Sequence, residues 1–131
     1  MYYKGVIIEE SLKNKDVLRD VVILDTKVEP ITPEHKTPHL KQWTLHAVEI
    51  PEEKADEIVA KLSNDLEVEH TNWYADFKND RYHYIVYSGG KVFKVDLKNP
   101  VLYKDAKAHG ISLGIPEYQV DFAPDDKVWG G

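Results

Sequence analysis

The chain has 131 residues, a formal net charge of −6 and no cysteine. That length suits one domain with its own core. The missing thiols exclude disulfides, thiolate metal sites, iron–sulfur clusters and cysteine nucleophiles. The longest aliphatic run, Val21-Val22-Ile23-Leu24, falls far short of the ~20 residues of a membrane helix.

Charge narrows the classes further. Of the 17 basic residues, only Arg19 and Arg81 are arginine. Arginine is the usual bidentate reader of phosphate and guanine, and duplex binding needs a positive footprint. A nucleic-acid partner is therefore not expected. Lys4, Glu9 and Glu10 interrupt the apolar segment that a signal peptide would need, so a cytoplasmic protein is expected.

Tyr2–Glu9 is rich in aromatic and β-branched residues and predicts a strand. Ser11 suits the N-cap of a short helix reaching Arg19. Val21–Glu29 predicts a second strand. Residues 29–41 carry Pro30, Pro33 and Pro38, each of which removes a donor and pushes its predecessor out of helical space. This predicts a long loop, a place for subunit or ligand contacts.

Gln42–Ile50 predicts a third strand. Pro51, Glu52 and Glu53 open a helix with acids at its positive end. Ala55, Ile58, Val59, Leu62 and Leu66 follow at helical spacing and predict a buried stripe.

Beyond Asn72 the pattern is a three-stranded meander. Asn79-Asp80 and Gly89-Gly90 read as two-residue turns. They would oppose Asp76 to His83 and His83 to Asp96. One face then holds Trp73, Ala75, Phe77, Tyr82, Tyr84, Val86, Phe93, Val95 and Leu97. The other holds Tyr74, Asp76, Lys78, Arg81, His83, Ile85, Tyr87, Val92, Lys94 and Asp96. A one-residue slip in either hairpin would scramble this division. Asn99-Pro100 should start a third helix and Gly110 should stop it, and the last ~8 residues should form a flexible tail.

The expected fold is a single α+β domain over residues 1–131, in the order β-α-β-β-α-β-β-β-α. Its core is expected to be ferredoxin-like, extended by the meander.

The sharpest chemical feature is the row Asp76–His83–Asp96. Opposed residues on neighbouring strands lie roughly 5 Å apart, and a histidine between two carboxylates favours its charged form. With Tyr74 and Tyr87 beside it, the row suits acid/base chemistry or part of a metal site. Its plain alternative is a surface charge ladder worth about 0–1 kcal/mol. His35 and His39 are candidate binding residues in the proline-rich loop, but a four-residue spacing has meaning only on a helix. His46, in step with Val48 and Ile50, reads as a packed histidine. Gly110-Ile111-Ser112-Leu113-Gly114 spells G-x-S-x-G, but a helix precedes Ser112 and no histidine follows it, unlike a nucleophile elbow.

Three stretches, WYADFKNDRYHYIV (73–86), GISLGIPEYQVDF (110–122) and QWTLHAVEIPEEKADEI (42–58), resemble an uncharacterised family of small prokaryotic proteins. That resemblance implies no activity, cofactor or catalytic residue. The leading expectation is a non-enzymatic binding or interaction module that forms a homo-oligomer, with no membrane partner and no cofactor. The alternative is a small hydrolase or isomerase using Asp76, His83 and Asp96.

Overall fold

The computed structural model describes residues 2–30, 42–68 and 73–122. His35, His39, most of the proline-rich loop and the C-terminal tail lie outside them. Six antiparallel strands form one sheet: β1 (Tyr2–Ile8), β2 (Val22–Pro30), β3 (Gln42–Pro51), β4 (Tyr74–Lys78), β5 (Tyr82–Tyr87) and β6 (Val92–Asp96). Their spatial order is β2-β3-β1-β4-β5-β6. With α1 (Ala55–Asp65), α2 (Leu102–Ser112) and the single turn α3 (Glu117–Val120), this makes a single-sheet α+β protein. Among the described residues no helix is long and apolar enough to cross a membrane.

Alternate residues of β5 serve different cores. Tyr84 and Val86 join Tyr3, Phe77 and the expected α1 stripe, while Ile85 and Tyr87 join Val95, Tyr103 and Ala106. Helix α1 therefore covers one face, and α2 with α3 covers the β4–β6 part of the other. Period-two alternation thus places apolar residues on both faces of β5, because both faces are covered. Close packing is also visible at Gly5, where a Cβ would collide with the Asp76 carbonyl oxygen and the Phe77 ring.

The helix expected over residues 11–19 is absent. Two 3-10 turns, Glu9–Ser11 and Lys15–Arg19, stand in its place. The Ser11 hydroxyl donates to the Ile8 carbonyl, and Asn14 caps the second turn through its side chain. Between the turns the backbone is tied to the end of α1: Lys13 N–H donates to Asp65 and Glu67 N–H donates to Ser11. Those long-range bonds hold the segment extended where a helix would have continued.

Both meander registers also differ from expectation. In the first hairpin Asn79 is the position before the turn, because its side-chain oxygen accepts from the N–H groups of Arg81 and Tyr82, each at 2.8 Å. This is the backbone-mimicking bond that Asn favours in turns. Lys78 then opposes His83, and Asp76 opposes Ile85. The shift is even, so the face of every β4 and β5 residue is kept.

The second hairpin has a three-residue loop, Ser88-Gly89-Gly90, closed by Tyr87 N–H donating to the Lys91 carbonyl at 2.8 Å. Both glycines hold positive φ, 78° and 83°, which L side chains adopt at a cost. His83 then opposes Val95, and Tyr82 opposes Asp96. This slip is odd, so it exchanges the faces of β6. Phe93, Val95 and Leu97 turn toward α2, and Lys94 turns toward α1, with its ammonium 4.5 Å from the Tyr82 ring centroid and 3.7 Å from Asp56.

Helix α2 runs through Gly110 and stops one turn later. Ile115 N–H donates to Gly110, and Gly114 N–H donates to Ile111 with φ +86°. This is the Schellman pairing that ends many helices. Gly110 is instead a contact glycine: a Cβ there would lie 2.7 Å from both the Tyr87 hydroxyl and Val120. Gly110→Ala should cost about 1–3 kcal/mol through overpacking. A urea titration should show a lower midpoint with an unchanged slope, and an unchanged midpoint would refute the close contact.

Candidate functional site

The structure brings Asp76 and His83 together and leaves Asp96 out. His83 Nε2–H donates to Asp76 Oδ2 at 2.7 Å, and Nδ1 shares a 2.7 Å hydrogen bond with the Tyr103 hydroxyl. Their partner is thus a tyrosine from α2, a helix that the sequence pattern did not place on this face. Asp96 is on the opposite face of the sheet, where its side chain accepts from Lys98 N–H in the turn that leaves β6.

The pair is buried, contrary to the charge-ladder reading: His83 is 1 % exposed and Asp76 6 %. The Phe122 ring stands edge-on to His83 with centroids 5.6 Å apart. A general base must reach the proton it removes. Here both ring nitrogens are committed, one to the sheet and one to α2. The arrangement is a polar pin joining β4, β5 and α2.

The hydroxyls of Tyr74 and Tyr87, the two tyrosines expected beside the row, are both engaged. Tyr74 donates to the Gln119 carbonyl at 2.9 Å, and Tyr87 donates to the Ala106 carbonyl at 2.6 Å. Burial first, and then the Asp76 charge, hold both phenols well above their ordinary range. They stay protonated and act as donors that fasten α3 and α2 to the sheet.

His46 is 7 % exposed and hydrogen-bonded, with Nδ1 2.8 Å from the Thr26 hydroxyl and Nε2 3.2 Å from Glu9. Beside it Glu10 accepts from Thr44 N–H and from the Thr44 hydroxyl. The acids were visible in the sequence; their partners, 34 and more residues away, were not. Ser112 is exposed on α2, so a helix and not a strand leads into it, and its hydroxyl donates to the His109 carbonyl at 2.6 Å. Among the described residues, no three His, Asp or Glu side chains converge as a metal-ligand set.

The second notable feature is a surface. Strand β2 forms one border of the sheet, and among the described residues no strand pairs with its outer side. Val22, Ile23, Leu24 and Val28 are 43–57 % exposed. No family model, no curated protein and no solved structure matched the chain.

Removing one partner of a buried pair leaves the other uncompensated, so Asp76→Ala should cost about 3–5 kcal/mol. Asp96→Ala removes one turn hydrogen bond and should cost about 1 kcal/mol. Equal costs in urea denaturation would contradict the pin. His109 supplies a pH test. Burial, and then Lys91, lower its pKa from the ordinary value, and its Nε2 has no hydrogen-bond partner among the described residues. The unfolded chain therefore binds the proton more readily. This group's contribution to stability is complete above about pH 6.5 and is lost as pH falls through the lower folded value. In His109→Phe, the drop in Tm between about pH 7 and about pH 5 should shrink. An unchanged drop would show that His109 does not contribute.

Proposed function

We propose that this protein is a non-enzymatic interaction module that self-associates through the outer edge of β2. The observation that carries this reading is a nine-residue border strand with four large apolar side chains open to solvent. Unpaired N–H and C=O groups on such an edge are a template for another extended segment. Natural edges are commonly blunted by short length or by charged residues. The opposite border, β6, has five residues with Lys94 at its centre, whereas β2 has nine and, besides Asp25, Lys27 and Glu29, presents Val22-Ile23-Leu24 in a row.

The acid/base alternative has less support, because Asp96 is across the sheet from His83 and both ring nitrogens of His83 are engaged. We also read β2-β3-β1-β4 as a ferredoxin-like core, with 3-10 turns in place of the first crossover helix and β5–β6 added at one side. The all-antiparallel order of those four strands supports this. A cytoplasmic setting accords with the cysteine-free composition.

Size-exclusion chromatography with light scattering tests the association. The wild type should run above the 15.1 kDa of one chain, and Leu24→Lys/Val28→Lys should run at that mass with an unchanged circular dichroism spectrum. A wild type that stays at one-chain mass at its highest soluble concentration would overturn the proposal.

A further inference from the structure

The residues of β2 also specify how two copies meet. Resting on the edge reading above, we propose that the partner is a second copy whose β2 runs antiparallel to the first about a two-fold axis at Thr26. The segment Leu24-Asp25-Thr26-Lys27-Val28 is complementary to its own reverse. With Thr26 opposite Thr26, Asp25 opposes Lys27 of the second copy, and Leu24 opposes its Val28. Two-fold symmetry repeats both pairs.

Competing registers lack this agreement. Moving the axis to Asp25 or Lys27 opposes two like charges, which is destabilising on neighbouring strands. Placing it between residues sets Leu24 against Lys27 or Asp25 against Val28. The bulge in the β2–β3 pairing falls between Ile23 and Asp25. Asp25–Pro30 on its far side keep a regular register with β3, so the centre of the proposed contact is undistorted.

The geometry makes the contact isologous, since each copy offers the same edge. Such an interface closes at two subunits, whereas a head-to-tail contact would propagate. It joins two six-stranded sheets into one of twelve. It also brings two Glu9–His46–Thr26 hydrogen-bonded chains to the axis, where the Thr26 backbones would be ~5 Å apart.

Charge exchange tests the register. Asp25→Lys and Lys27→Glu each create two like-charge pairs, and each dimer should weaken about tenfold, the equivalent of ~1.4 kcal/mol. Mixing the two variants creates complementary charges at both positions and should restore wild-type affinity as a heterodimer. Because the chain has no cysteine, Thr26→Cys gives a second readout. Cα atoms opposed across the axis lie within disulfide reach, so oxidation should give a covalent dimer. A wild type that dimerises through β2, with variants that neither weaken nor recover on mixing and a Cys variant that does not cross-link, would overturn the register while leaving edge association intact. A wild type found only as a monomer would overturn both.

Discussion

The register of β6 turns on one hairpin, and a side chain of α1 is bonded to both sides of it. The buried Ser63 hydroxyl donates to the Tyr87 carbonyl at the end of β5 and accepts from Gly90 N–H at 2.8 Å. It thereby occupies two backbone groups at the mouth of the β5–β6 hairpin. With these groups held by α1, the loop closes over three residues, and β6 enters one residue out of step with the two-residue alternative. Since side chains alternate with period two, that one step decides the face of every β6 residue. Phe93 and Val95 reach the α2 side, and Asp96 is carried away from His83.

The consequences extend to the buried polar pair. With Asp96 removed, the space above His83 is filled from α2 by Tyr103 and from beyond α3 by Phe122. Burying a polar group is costly unless its hydrogen bonds are made. Each imidazole nitrogen has a partner at 2.7 Å, and the hydroxyls of Tyr74 and Tyr87 end on helical carbonyls. This second core therefore combines aliphatic residues such as Ile85, Val95, Ile115 and Val120 with tyrosines whose polar ends are hydrogen-bonded. Its hydrogen bonds can specify where α2 and α3 sit, a task that nonspecific apolar burial performs less well.

The sequence made local regularity legible. The apolar spacing of α1 and the strand character of all six segments follow from periodicity, and the structure has them within a residue or two. Asn79 was recognisable as a turn former, although the exact step at which it acted depended on its bonds to Arg81 and Tyr82. What was hidden depended on distant partners. The helix expected at Ser11 gave way to bonds with Asp65 and Glu67, and the second meander register belongs to a three-residue loop whose Gly90 N–H is bonded by Ser63 of α1. Tyr103 could not be paired with His83 without knowing which face α2 would cover. Two of the row's three members, Asp76 and His83, were therefore recoverable because an even shift preserves faces; the third, Asp96, was lost to an odd one.

Strand β2 obeys a different constraint from the rest of the sheet. Its run Val22-Ile23-Leu24 is wholly aliphatic, yet it lies at the border with those residues exposed. Helix α1 covers β3 and the strands beyond it, and the 3-10 turn at Glu9–Ser11 meets β3 through Glu9 and Glu10, so β2 is left the least covered of the six. Its inner side is nevertheless fixed, through a near-continuous ladder with β3 and the Thr26–His46 bond. A firmly held strand whose outer edge is unpaired among the described residues has lost most of its conformational entropy already. Adding another strand to it then costs less ordering than pairing two free segments.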